Sequence, residues 1–212
     1  MPYNQMAYDR LQGIDFPRMR EYRLKRTKEM MEKHGIGTLV TFDAVNIRYI
    51  TGVYVTVPCR WVEQQFVVLP RNGDPHCFVS TSFSPYKMRE ELPWLKGKIW
   101  PSLGLTKMKN TLPEIQHYID RIAGIVSEHG LSSEPIGIDG CSSELLFHEG
   151  FKRAGLEMVD AKAVMFDAKL IKNEDEISCI RMACTMAEAA FDEMRRALRP
   201  GIKECELMGI GI

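Results

Sequence analysis

A mixed β-sheet flanked by helices, an α/β fold, is predicted for residues 17–165 by three observations. Short apolar runs alternate with segments whose apolar residues recur at helical spacing. Two of the helical segments stop at His-Gly, His34-Gly35 and His129-Gly130, and the next apolar run follows each stop, which suits parallel pairing. Between them, Arg71-Asn72-Gly73-Asp74 reads as a hairpin turn, and this antiparallel step makes the sheet mixed.

The elements follow in order. Residues 1–16 form an amino-terminal arm, and Pro17 opens a helix in which Leu24, Thr27 and Met31 share one face. Gly37–Phe42 is a buried strand. Asp43–Asn46 turns the chain, and Ile47–Ile50 is extended or a short turn ending at Thr51-Gly52. Val62–Leu69 is a strand, and the hairpin turn returns the chain through Pro75–Val79. Ser84–Leu92 forms a helix closed by Pro93, and Lys98–Trp100 is a short strand. Leu112–His129 is a long amphipathic helix with Ile115, Ile119, Ile122 and Val126 inward. Ile136–Ile138 is a strand, Ser142 caps a helix that runs to Arg153, and Leu156–Val159 is the last strand.

The character of the chain then changes. Asn173 and Glu176 have the spacing of a capping box, and Ile177, Ile180, Cys184, Ala187, Phe191, Met194 and Leu198 continue at helical spacing. This helix stops at Pro200-Gly201, and Ile202–Leu207 begins another element. A domain boundary is expected near residues 166–172. A lone helix cannot bury its apolar stripe without partners, so residues 166–212 read as a linker and the start of a further domain.

Bulk properties exclude several classes. The chain has 28 basic and 28 acidic residues, so no long-range field gathers nucleic acid or an anionic membrane. The cluster Arg18, Arg20, Arg23, Lys25, Arg26 and Lys28 reads as a solvated helix face. The polar start, MPYNQMAYDR, is no signal peptide, and no apolar run approaches the roughly 18 residues of a membrane helix. The six cysteines form no C-x-x-C pair and read as small buried residues of a cytoplasmic protein. No nucleotide-binding glycine loop, H-E-x-x-H or G-x-S-x-G is present, and none of the five histidines pairs with another at helical spacing.

Two stretches carry more information. Phe42–Gly52 (FDAVNIRYITG) follows a strand end, where ligands of open α/β sheets gather. It reads equally as a ligand loop or as a structural turn. The second stretch is Asp160-Ala161, Ile171–Ile177 (IKNEDEI) and Pro200–Leu207 (PGIKECEL). The first resembles the D-x-x-N-I-x-Y-x-T/S-G signature in the amino-terminal domain of creatinase, prolidase and aminopeptidase P. The second is similar to that family's domain junction, with Lys169 where arginine is more usual. The ordered set covers roughly residues 17–212.

The resemblance implies an amino-terminal domain of ribonuclease-H-like topology, followed by the opening of a pita-bread catalytic domain. In such enzymes a divalent metal pair (Mn, Zn, Co or Fe) is held by two Asp, one His and two Glu. No residue of this chain matches those ligands, so no metal ligand and no catalytic acid or base is assigned. The resemblance further implies a homodimer acting on a small peptide or amide. It places Arg60 on the substrate carboxylate and Trp61 as an apolar wall, a pairing that suits guanidinium chemistry. Two alternatives stay open. One is a dimethylsulfoniopropionate lyase-like member of the same fold, suggested by Met19–Leu24 with Phe42–Tyr49. The other is a non-catalytic dimerisation domain.

Overall fold

Alternating side chains decide how this chain is layered, because successive residues of a strand face opposite sides of a sheet. The computed structural model describes residues 13–53, 65–80, 84–102, 112–141 and 144–211. The elements, in chain order, are α1 (Phe16–Lys33), β1 (Thr38–Thr41), α2 (Ala44–Thr51), β2 (Phe66–Pro70), β3 (His76–Ser80), α3 (Ser84–Glu91), a 3-10 turn (Pro93–Leu95) and β4 (Ile99–Ser102). They continue with α4 (Leu112–Glu128), β5 (Ile136–Asp139), α5 (Glu144–Arg153), β6 (Met158–Asp160), α6 (Lys162–Leu170), α7 (Glu174–Ala197) and α8 (Glu204–Gly211).

The chain divides into two compact units, residues 20–171 and a second unit of residues 1–19 with 172–212. In the larger unit six strands form one sheet in the order β4-β3-β2-β1-β5-β6. The β1–β2 and β2–β3 pairs are antiparallel, and β3–β4, β1–β5 and β5–β6 are parallel. The sheet is therefore mixed, as the hairpin turn and the His-Gly stops foretell. Only β2 runs against the others, so the loops that follow β1, β3, β4, β5 and β6 leave at one edge.

One face of the sheet carries Leu39, Val67, Leu69, Cys77, Val79 and Ile99, which pack against Met31 of α1, Ile47 and Ile50 of α2, Met88 of α3 and Val164, Met165 and Ala168 of α6. The other carries Val40, Phe42, Phe66, Val68, Phe78, Ile136 and Ile138 beneath α4 and α5. Here Phe66 stacks on Phe78 at 4.5 Å and meets Tyr118 edge-on at 5.6 Å, while Phe42 touches Phe66 and Phe147. Such ring pairs add to area burial. All four residues assigned inward on α4 are fully buried.

Three helices end in the same way. The N–H of Gly35 bonds the carbonyl of Glu32 and that of Ile36 the carbonyl of Met31, and the pattern repeats at Gly130-Leu131 and Gly155-Leu156. Each places a glycine in the left-handed region and an apolar residue behind it, the arrangement that satisfies the last carbonyls of a helix. It also aims the chain directly into the next strand.

The structure differs from the sequence reading at several points. Residues 44–51 are not a turn with an extended tail but a helix, α2. The β-branched and aromatic residues Val45, Ile47, Tyr49 and Ile50 suggest extension locally, and caps at both ends override that preference. Residues 162–170, for which the sequence suggests no element, form α6. The cysteines are not uniformly buried. Cys77 is enclosed and its thiol pushed up to about 12 by burial, whereas Cys184 and Cys205 are exposed on α7 and α8. All five described cysteines are free. Ser142, Val62 and the arm before residue 13 lie outside the described residues.

The smaller unit contains the start of α1 with α7 and α8. Asn173 caps α7 as the spacing indicates, with its side chain on the N–H of Glu176 and the Glu176 carboxylate on the N–H of Asn173. The Asp175 carboxylate is buried and takes two parallel bonds from Arg18, both 2.8 Å, and one from the N–H of Asp15. The Arg18 guanidinium holds that carboxyl below its ordinary value. Ile177, Ile180, Met186, Phe191 and Leu198 of this unit are exposed, as are Met208 and Ile210.

One buried group sets a pH response. His76 opens β3, is 7% exposed, and neither ring nitrogen has a partner among the described residues. Burial, with the positive charges of Lys98, His129 and Arg121, pushes its ring down to about 4, against the weaker pull of Asp74. The unfolded imidazole, with its ordinary value of 6.5, protonates first. The stabilisation from neutral His76 is thus complete above pH 6.5 and is lost as pH falls towards 4. Urea midpoints should fall across this window, and His76→Phe should flatten the slope there. An unchanged slope in the variant would remove His76 as the cause.

Candidate functional site

Residue by residue, the Asp43–Gly52 motif builds both ends of α2. Asp43 is extended (φ −71°, ψ 122°), and its carboxylate accepts from the N–H of Asn46 at 2.9 Å. This is N-cap chemistry, which satisfies a donor that the helix leaves unpaired. Gly52 closes the helix at φ 81°, its N–H on the carbonyl of Arg48. The Thr51 hydroxyl bonds the carbonyl of Ile47 at 2.8 Å. Tyr49 reaches the carbonyl of Ala168 at 2.9 Å, and the Arg23 guanidinium lies 5.1 Å from the Tyr49 ring centre.

Asn46 points inward and is buried. Its amide N–H donates to the Asp139 carboxylate at 2.6 Å, and the Thr41 hydroxyl donates to the same oxygen at 2.7 Å. Lys169 of α6 donates in turn to the Asn46 carbonyl oxygen. Thr41 and Asp139 are register partners at the carboxyl ends of the parallel strands β1 and β5. The network therefore joins two strands to two helices at the edge where the loops emerge. Gly140 packs against Asp43 beside it at φ 75°, a conformation that strains a residue with a side chain.

The arrangement is a structural lock. Asn46 uses its amide nitrogen on one partner and its oxygen on another, and Asp139 is enclosed, so neither faces a reacting molecule. Of the two readings of this loop, the structural one describes what its polar side chains do, as caps and anchors of a helix rather than as a turn. Its ends nonetheless fix where the chain leaves β1. Asp139 and Thr41 escape sequence reasoning because they look like ordinary strand ends. Lys169 stands out in the sequence only as a departure from the family's usual arginine.

Arg60 and Trp61, assigned to substrate, lie outside the described residues. The next described residue, Gln65, is buried, and Phe66 packs on Phe42 at 5.0 Å, just after the end of β1. Among the described residues, no group of three or more His, Cys, Asp or Glu is placed to hold a metal ion. Two of the described histidines are tied to neighbouring side chains. His34 bonds Asp167 at 3.0 Å, and His129 bonds Asn72 at 3.0 Å. The basic cluster on α1 is likewise engaged, with Arg20 over Trp94 and Arg26 on Glu29. No described helix is long and apolar enough to cross a membrane.

Comparison with known proteins agrees with this layout. Residues 23–170 match the family model described as the creatinase/prolidase N-terminal domain. A relative from Sinorhizobium fredii, named as the uncharacterized hydrolase/peptidase y4tL, is 23% identical over 189 residues, 88% of this chain and 47% of the relative. The Xaa-Pro dipeptidase from Bacillus anthracis superposes with a TM-score of 0.63 at 19% identity, over 91% of this chain and 47% of that one. The prolidase from Pyrococcus horikoshii OT3 gives 0.58 at 19%, over 89% and 46%. That from Thermococcus sibiricus gives 0.63 at 16%, over 94% and 49%. The chain thus spans about half the length of these relatives. At these identities the structural likeness establishes the fold.

Removing the Asp139 carboxylate tests the lock. Asp139→Leu leaves the Thr41 hydroxyl and the Asn46 amide without acceptors, at a cost of about 1–3 kcal/mol for each stranded group. Urea denaturation should report that loss. Asn46→Ala combined with Asp139→Leu should cost less than the two single changes summed, by about 1 kcal/mol or more. Strict additivity would mean that the contact carries no energy.

Proposed function

The chain belongs to the creatinase/prolidase amino-terminal domain family, and from that membership we propose that its parent protein is a metal-dependent hydrolase of small peptides or amides. A bond at a prolyl nitrogen is the favoured target. The observation that carries the reading is the match over residues 23–170, joined to relatives that include a named Xaa-Pro dipeptidase and two named prolidases.

In this reading residues 17–165 are the amino-terminal domain, and residues 166–212 are the linker and the start of the catalytic domain. The exposed Ile177, Ile180, Met186, Phe191 and Leu198 face the remainder of the parent, which supplies the metal pair. Such metals lower the pKa of bound water and polarise the scissile carbonyl. The residues of this chain orient and bind. Arg60 grips the substrate carboxylate through two parallel hydrogen bonds and Trp61 walls the pocket, while the Asp139–Asn46–Lys169 lock holds α2, the helix that this segment follows in the chain. The protein works as a homodimer in the cytoplasm, a setting consistent with five free cysteines among the described residues.

The lyase-like alternative leans on Met19–Leu24 with Phe42–Tyr49, and several of the first set have structural tasks here. Arg20 lies over Trp94, Arg23 over Tyr49, and the Tyr22 hydroxyl bonds the Ile171 carbonyl.

The test is direct. Full-length protein is incubated with prolyl dipeptides, creatine and dimethylsulfoniopropionate, before and after chelation. Dipeptide hydrolysis that disappears with chelator and returns with a divalent metal is the expected result. Metal-independent turnover, or elimination from the sulfonium substrate alone, would overturn the reading. Arg60→Ala should raise KM about ten- to hundredfold, the equivalent of one lost charge-assisted contact, with a smaller effect on kcat. A variant with unaltered KM would take Arg60 out of the pocket.

A further inference from the structure

The open edge of the sheet, at β4, carries a feature that neither the fold nor the proposed activity uses. Between the end of α3 and the start of β4 lies a concavity of about 380 Å³, lined by Arg89, Leu92, Pro93, Lys96, Gly97 and Ile99. Its floor is apolar and firm. Leu92 and Ile99 are 2% and 7% exposed and belong to the core under this face of the sheet. Its backbone is fixed by a ladder of short bonds, from the N–H of Leu92 to the carbonyl of Met88 (2.8 Å), from Leu95 to Leu92 (3.0 Å) and from Lys98 to Leu95 (2.9 Å). The pocket is therefore preformed, and its volume lies within the roughly 300–1,000 Å³ of small-molecule sites, towards the small end.

Its charge is one-sided. Among the described residues, Arg89 and Lys96 are the ionisable groups of the wall, and no acid lines it. Both are exposed, and neither has a hydrogen bond, ion pair or ring contact among the described residues. Most other cations of this unit are engaged. Lys98 holds Asp74, Arg71 holds Glu134, Lys33 holds Asp167, and Arg121 lies 3.7 Å over the Trp100 ring. Two cations left without partners beside an apolar floor favour an anion that carries an apolar group. The edge adds a backbone donor. The Lys98 carbonyl accepts from Cys77 on β3, so by strand alternation the N–H of the next residue, Ile99, turns away from β3, where no described strand pairs with it.

A second concavity, of about 480 Å³ beside α1, lacks this selectivity. Glu21, Glu29 and Glu32 there balance Lys25, Lys28 and Arg71, and Lys25 pairs with Glu29.

We propose that the β4-edge pocket binds a small apolar carboxylate, with its hydrocarbon on Leu92, Pro93 and Ile99 and its carboxylate between Arg89 and Lys96. The absence of an acid in the wall disfavours a free ammonium, so simple carboxylates and amino-blocked amino acids fit better than zwitterions. The inference does not depend on the hydrolase reading.

Phenylacetate, phenylalanine and phenylethylamine form the test set, titrated into the isotope-labelled 212-residue chain and followed by backbone amide shifts. Phenylacetate should shift Gly97 and Ile99 saturably, phenylalanine more weakly and phenylethylamine not at all. Arg89→Ala with Lys96→Ala should weaken phenylacetate about tenfold, as expected for the loss of two solvent-exposed charge contacts. Arg89→Lys with Lys96→Arg should restore it, and dispersed spectra of both variants show that the fold persists. No saturable shift, equal binding of the amine, or an unaffected double-alanine variant would each overturn the proposal.

Discussion

A single carboxylate taken out of water organises the edge of the sheet from which the loops emerge. Asp139 ends β5, is buried, and keeps its place because Thr41 and Asn46 donate to it at 2.7 and 2.6 Å. A buried carboxyl group in such a setting is tolerated only when it is well hydrogen-bonded. That requirement has structural consequences. Thr41 must lie beside Asp139, which the parallel β1–β5 register provides. Asn46 must face inward, which the Asp43 cap ensures by starting α2 at Ala44. Lys169 must reach Asn46, which positions the end of α6.

The rest of the domain supplies the frame that lets this happen. One face of the sheet is filled by aromatic rings under α4 and α5, and the other by aliphatic and sulfur side chains under α1, α2, α3 and α6. The two strands that carry the lock are central, so both of their faces are covered. Polar groups there have no water to turn to and must find partners within the protein. His76, at the amino end of β3, is the contrasting case. Its ring nitrogens find no partner among the described residues, and burial beside positive charge favours the neutral ring.

The smaller unit follows different rules. Its long helix α7 is stabilised locally, by a capping box, three acids in the first turn and Arg195 and Arg196 in the last, the latter paired with Asp192 and Glu193. Each contributes a few tenths of a kcal/mol to about 1 kcal/mol. The buried Asp175 and its double bond to Arg18 join the helix start to the amino-terminal segment. Its apolar residues Ile177, Ile180, Met186, Phe191 and Leu198 stay exposed within this unit.

By itself the sequence determined the elements that obey local rules. The helix stops at His34-Gly35 and His129-Gly130, the inward face of α4, the Asn72-Gly73 hairpin and the Asn173–Glu176 capping box all rest on residues adjacent in the chain. The family was legible for the same reason, because its signature is a string of neighbours around Asp43 and Asn46. Only the tertiary structure decided what those neighbours do. Asn46 meets Asp139 across 93 residues and Lys169 across 123. No pattern of spacing announces either meeting, since it depends on which strands pair and in what register. Residues 44–51 show the same division. Their side chains favour extension in isolation, and burial against the sheet with a cap at each end makes them a helix.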